Sequence, residues 1–347
     1  MKGFILHLFL LFVITNVNSQ QLILNEKARD LYQSAKNFMN QKDYANAIMV
    51  YNQAVNIEPD NLFLRRELAF SYYMVQDLAR AEYVIAPLLK LNDADEETFR
   101  LACNIYTKKK KIDDAESAIN KGIKKFPHSG SLYAEKGNLL NSIKKYKSAT
   151  EAWEEGVKMD PSYYMNYYYL AKVYSFTKKY LWAILYGETF INLESQSSNT
   201  QEIKKIVFES YKYMMAEINH LTLENKTDKF EKGKDFTDAC MHVYSQLKNV
   251  VTGGIQTDNL IMLRTRFLME WNKQYALQYP FALFDFQQRM IGNGFFDCYN
   301  RWLFGGLDNE KLYKQWAQKF AKNMNEFDIY LRSKKFKPLS NQYYQRS

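Results

Sequence analysis

Cysteine, histidine, glycine and proline are all scarce in this chain of 347 residues, and each shortage removes a class of protein. Three cysteines are too few for a disulfide framework. Thirteen glycines and six prolines supply too few turn residues for an all-β chain of many short strands, and they exclude collagenous or low-complexity material. The four histidines include no HExxH pair, and neither a GxSxG nucleophile turn nor a GxxxxGK phosphate loop occurs. With 24% charged residues the chain has no room for a multi-span membrane protein.

Aromatic residues are abundant, with 27 Tyr and 23 Phe, and 47% of the chain is apolar, which is ample for a core. The start has the pattern of a cleaved export signal: Lys2, then the uncharged run Phe4–Ile14, then Val17-Asn18-Ser19 before a cut. Eleven residues are well short of the roughly 20 that span a bilayer. The expectation is therefore a signal peptide over 1–19, a short lead over 20–27 and a periplasmic or extracellular protein. No Cys stands at the cut to take a lipid.

From residue 28 the sequence repeats with a period of 34. Ala47, Ala81, Ala115, Ala149 and Ala183 form one column, and Ala35, Ala69, Cys103, Gly137 and Ala171 a second. Large residues hold two more, Phe38, Tyr72, Tyr106, Leu140 and Tyr174, and, except at Gly187, Tyr51, Ile85, Ile119 and Trp153. Pro59, Pro127 and Pro161 close three of the units, whereas Asp93 and Ser195 stand where the second and fifth lack the proline. The pattern resembles the tetratricopeptide repeat, in which small residues let paired helices approach and large ones fill the gaps between them. The resemblance implies an all-α solenoid of five repeats, 28–61, 62–95, 96–129, 130–163 and 164–197.

It also implies a concave face lined by the first helix of each repeat, where a peptide or protein segment binds. The matching positions carry Arg29, Tyr32, Lys36, Phe63, Arg66, Phe70 and Tyr73, then Arg100, Asn104, Lys108, Asn138 and Asn141, and finally Tyr168, Lys172 and Phe176. Rings beside Arg and Asn suit peptide recognition: rings give area at low entropy cost, guanidinium pairs with carboxylate, and amides bond an extended backbone. The clamp by which some family members hold a terminal carboxylate is incomplete. Arg100 and Asn104 fit its first pair, but Glu135 replaces an amide and Met165 and Tyr169 replace two basic residues.

Residues 198–337 leave the period yet still read as helical. Ile203, Val207, Phe208, Tyr211, Met214, Met215 and Ile218 recur at helical spacing, Asn219–Asp235 reads as a loop, and helices follow over 236–250, 258–279, 281–291 and 308–334. The run Phe281–Gly305 is similar to a C-terminal module of secreted bacterial tetratricopeptide proteins, and its dense aromatics suit a helical cap. A polar tail spans 338–347.

The basic excess is C-terminal, 22 Lys and Arg against 16 Asp and Glu over 198–347. Lys204, Lys205, Lys226, Lys229, Lys232, Lys234, Lys334, Lys335 and Lys337 are candidates for contact with envelope lipid or glycan, while export disfavours nucleic acid. Cys240 and Cys298 are candidates for a disulfide in an oxidising compartment. Cys240 and His242 on one helix diverge by about 160°, which disfavours a zinc site with Cys298 and His220. The expected protein is a binding scaffold without metal, cofactor or catalytic residues. The alternatives are an envelope assembly factor acting through its basic C-terminal region, and an enzyme hidden there.

Overall fold

The structure, a computed structural model, describes residues 25–223 and 234–345, so the expected signal 1–19 and Lys226, Lys229 and Lys232 lie outside the described residues. The chain forms two compact units, Met1–Asp93 and Ala94–Ser347. The boundary falls at Asp93, where the second unit of the period lacks its closing proline. Every regular element among the described residues is a helix, as an all-α repeat protein requires.

The first unit holds two helix pairs, α1 (Glu26–Asn40) with α2 (Tyr44–Ile57) and α3 (Leu62–Met74) with α4 (Leu78–Leu88). Pro87 stands inside α4, where its missing N–H weakens the last turn, and α4 has 11 residues where α2 has 14. The second unit continues with α5 (Glu96–Lys108) and α6 (Ile112–Lys125), α7 (Gly130–Ser142) and α8 (Tyr146–Met159), and α9 (Tyr164–Phe176) and α10 (Tyr180–Leu193). The alanines at 47, 81, 115, 149 and 183 are fully buried, which explains why nothing larger occupies that column. At Gly137 the approach is closer still: a Cβ built there would lie 2.1 Å from Nε1 of Trp153, whose ring N–H donates to the Ala134 carbonyl at 3.2 Å.

The turn within each pair repeats as faithfully as the helices do. Lys42, Gln76, Lys110, Lys144 and Lys178 all adopt φ between 59° and 64°. None is glycine, although a left-handed residue costs an L-amino acid roughly 1–2 kcal/mol. The next residue caps the second helix: Asp43 and Asp77 accept from the backbone N–H of Asn46 and Arg80, whereas Lys111, Lys145 and Lys179 offer no side-chain cap.

Beyond α10 the second unit builds one continuous core. α11 (Ser198–Leu223) packs on α10 and α9 and extends five residues into the expected loop. α12 (Phe236–Gln246), α13 (Thr257–Gln274), α14 (Ala282–Gly292) and α15 (Phe296–Asn300) follow. A π turn, Arg301–Gly305, leads into the short α16 (Gly306–Asp308). The long final helix expected over 308–334 is instead two, α17 (Glu310–Lys319) and α18 (Ala321–Ser333), because Asn309 is extended and caps Leu312 N–H, and the chain bends again at Phe320.

The centre of this core is polar. Every residue of α10 from Leu181 to Ile191 is buried, including Glu188. Its carboxylate accepts from Arg264 Nη2, from Gln287 Nε2 at 2.7 Å, from the Tyr299 hydroxyl at 3.2 Å and from the Tyr211 hydroxyl at 3.3 Å. Arg264 donates a second bond to Asn300 Oδ1, and the rings of Tyr211, Phe296, Tyr299 and Phe304 surround its guanidinium at 5.2–5.7 Å.

Two expectations are corrected here, and the tail, on whose order the sequence is silent, proves to be packed. Lys204 is not part of a basic surface: it is buried, donates to the Trp302 carbonyl at 2.9 Å and lies 3.6 Å from the centre of the Trp302 ring. Cys240 and Cys298 are free and buried rather than bonded: Cys240 lies in α12 and Cys298 in the short α15. The described part of the tail is packed against the second unit: Gln342 Oε1 accepts from Ala282 N–H at 2.6 Å, Tyr344 stacks on Phe236 at 4.6 Å, and Gln345 is buried.

Three measurements by chemical denaturation check this account. Ala115→Leu is expected to overpack its column and cost about 1–3 kcal/mol. Lys110→Gly is expected to relieve the left-handed turn and, after glycine's own entropy cost of about 0.5–1 kcal/mol, to stabilise by up to about 1 kcal/mol. Arg264→Met is expected to cost about 3–5 kcal/mol by leaving Glu188 buried without its counter-ion, with much of the loss recovered in the Arg264→Met, Glu188→Gln double variant.

Candidate functional site

In the first unit the residues expected to line the groove form a small aromatic and cationic group. Tyr32 of α1 and Phe63 of α3 meet with ring centres 5.0 Å apart, and the Lys36 ammonium lies 5.9 Å from the Tyr32 ring. Arg66 lies over Phe63 at 5.2 Å and pairs with Glu67 at 3.3 Å, so its charge is already engaged. Phe70 is exposed and Tyr73 half-buried on the same helix. Arg29 belongs to α1.

In the second unit α5, α7 and α9 pack against their neighbours in that order and bring the middle and far groups together. Arg100 donates to Glu97 Oε2 and lies 3.8 Å from Glu135. Glu135 sits at the centre of this face and bonds with the side chains of Asn104 and Asn138. Burial pushes its carboxyl up from the usual range, while Arg100 and the two amides oppose the shift. Asn138 Nδ2 also donates to the Tyr169 hydroxyl at 3.0 Å, and the Tyr169 ring stacks on Trp153 at 4.9 Å. Asn141 is exposed on α7.

The far end is tied down by a charged residue from outside the period. Glu202 of α11 accepts from the Tyr168 hydroxyl at 2.7 Å and pairs with Lys172 at 2.7 Å, while Lys172 lies over the Tyr168 ring at 4.9 Å. These bonds hold the Glu202 carboxyl below the usual range, Lys172 contributing most. Phe176 is exposed at the end of α9, and Lys108 is exposed at the end of α5.

Two carboxylates were not among the expected site residues. Glu135 was visible only as a departure from the clamp pattern, yet it organises the middle of the face. Glu154 of α8 carried no signal beyond its place in the repeat. It is buried and accepts three tyrosine hydroxyls, from Tyr174, from Tyr186 at 2.7 Å and from Tyr343 at 2.6 Å. Burial pushes its carboxyl up, and the bonds from Tyr174, Tyr343 and Tyr186 act against that shift. Among the described residues no three His, Cys, Asp or Glu side chains gather as metal ligands would, and His242 instead bonds Gln246 at 2.9 Å.

Comparison with known proteins bears on the repeat itself. Residues 31–61 match the tetratricopeptide repeat family model. The human protein O-mannosyl-transferase TMTC1 is 24% identical over 169 residues, which is 48% of this chain and 19% of that protein. The small glutamine-rich tetratricopeptide repeat-containing protein 2 of Mycosarcoma maydis is 29% identical over 138 residues, 39% of this chain and 29% of that protein. The chain thus spans less than a third of the length of either relative. The solved structure of Pseudomonas aeruginosa pilF superposes with a TM-score of 0.45 at 14% identity, over 56% of this chain and 90% of that one. With its columns of buried small residues carried at one spacing through paired helices, the chain is a helical-repeat protein, and its residues 31–61 match the tetratricopeptide repeat.

Proposed function

We propose that the protein is an exported binding scaffold that holds an extended segment of a protein partner against the joint face of α5, α7 and α9. The observation that carries this reading is the row of half-buried groups on three adjacent helices: the Asn104 and Asn138 amides beside Arg100 and Glu135, continued by Tyr169, Tyr168 and Lys172. Amides in such a row suit a backbone that offers both N–H and C=O, and rings held in place lose little entropy on binding. The hydrogen bonds among these groups set the surface before a partner arrives, which lowers the cost of association. Recognition of this kind uses no cofactor and no bond-making step.

Export rests on the sequence, on Lys2 and the apolar run Phe4–Ile14, and a mature terminus at Gln20 in the protein recovered from outside the cytoplasm would support it. The face itself is tested with peptides selected from a random display library on the full chain. Against an Asn104→Ala, Asn138→Ala variant of unchanged helicity they are expected to lose roughly tenfold or more in affinity, since two backbone hydrogen bonds are worth about 1 kcal/mol each. Peptides that bind both proteins equally would refute the assignment of this face.

A further inference from the structure

The last described residues are bound as a ligand would be. Residues 342–345 follow a turn at 340–341 and belong to no helix, and their side chains alternate between two environments. Tyr344 turns to the C-terminal helices, where its hydroxyl donates to the Pro280 carbonyl at 2.7 Å and its ring stacks on Phe236. Tyr343 and Gln345 turn the other way, into a cleft formed by the repeat helices α8, α9 and α10. There the Tyr343 hydroxyl donates to Glu154 Oε2 at 2.6 Å, and the Lys158 ammonium lies 4.8 Å from the centre of its ring. Gln345 Nε2 donates to the Tyr174 hydroxyl at 3.0 Å, and that hydroxyl in turn donates to Glu154 Oε1.

The cleft reads chemistry that is specific in three respects. Glu154 is buried and acceptor-only when ionised, and the scaffold itself supplies two of its three hydroxyl donors, from Tyr174 and Tyr186. The third donor comes from the extended segment. A buried carboxylate with a vacant lone pair is costly, so a phenol at that point is strongly favoured over a phenyl ring of the same shape. The Tyr174 hydroxyl can accept the amide of a residue two places on, which is the spacing that puts side chains on one face of an extended chain. Beside Tyr343 and Gln345 the cleft opens into about 680 Å³ bordered by Lys147, Glu151, Val173 and Lys179, so the segment borders open space rather than closed core.

We propose that this cleft is a second peptide-binding site, on other helix faces than the row from Arg100 to Lys172, that takes an extended segment with a tyrosine two residues before an amide side chain. Residues 343–345 of this chain are its ligand in cis. A tethered ligand acts at an effective concentration on the order of millimolar, so a free segment of the same chemistry enters only when it outcompetes the tail or the tail has left.

The test uses a fluorescent peptide of residues 338–345, with free amine and carboxyl blocked, and reads its anisotropy. Against the chain truncated after Lys337 the peptide is expected to bind at least tenfold more tightly than against the full chain, and the Tyr343→Phe peptide is expected to bind the truncated chain at least fivefold more weakly. A truncated chain that melts cooperatively yet binds no better than the full chain overturns the proposal, as does equal binding of the tyrosine and phenylalanine peptides. If truncation abolishes the cooperative melt, the same measurement on the folded full chain carrying Tyr343→Ala and Gln345→Ala decides it: tighter binding than to the unsubstituted chain supports the site, and unchanged binding overturns it.

Discussion

The buried pair between Glu188 and Arg264 is the constraint around which the second unit is arranged. Apolar packing is tolerant: the aromatics around it could interdigitate in several registers at similar cost, because area burial has no direction. A carboxylate and a guanidinium taken out of water have no such freedom. Their desolvation is offset only when nearly every lone pair and N–H finds a partner, and those partners here come from α11, α13, α14 and α15 at once, through Tyr211, Arg264, Gln287, Tyr299 and Asn300. Slipping any one of these helices by a turn would break a bond to a charge buried at the centre of this unit. The fifth repeat is thereby built into the following helices instead of ending a free-standing array.

This arrangement explains why the repeats could be read from sequence down to their packing, whereas in the C-terminal region the helices could be read but not how they pack. A 34-residue period is visible because each repeat meets the same steric problem at the same place, and fully buried positions such as Ala115 admit one answer. The turns were less legible. Left-handed residues are usually betrayed by glycine, but Lys42, Gln76, Lys110, Lys144 and Lys178 carry ordinary surface side chains, so only the structure reveals that they share a conformation. In the C-terminal region Glu188 looks like any charge in a repeat and Arg264 like any charge in an amphipathic helix, and nothing local joins them. Lys204 misled for the same reason, since a lysine beside another lysine reads as solvent-facing until Trp302 is placed over it.

The tail shows how composition hides position. Ser340, Asn341, Gln342 and Gln345 make 338–347 polar on average, and an average of that kind argues for a free end. What matters in an extended segment is alternation. Tyr343 and Gln345 share one side, Tyr344 takes the other, and each side finds a prepared environment. Tyr343-Tyr344 was the available signal, an aromatic pair where a solvated end has no use for one.

The candidate groove differs from the sequence expectation in a way that bears on selectivity. Most of its charges are already paired within the chain, Arg100 with Glu97 and Glu135, and Lys172 with Glu202. Exposed ion pairs of this sort are worth about 0–1 kcal/mol, so a partner gains little by exchanging one of them for its own charge. The amides and rings are different: Asn141 is exposed, and each amide carries two N–H donors and a carbonyl acceptor, so Asn104 and Asn138 can bond a backbone laid across them in addition to Glu135 and Tyr169. Complementarity along this face is therefore set by the course of the partner's backbone and the fit of its side chains against Tyr168 and Tyr169. Charge contributes chiefly through Glu135, which burial makes unfavourable to ionise and which a cationic or hydrogen-bond-donating group from the partner would favour in its charged form.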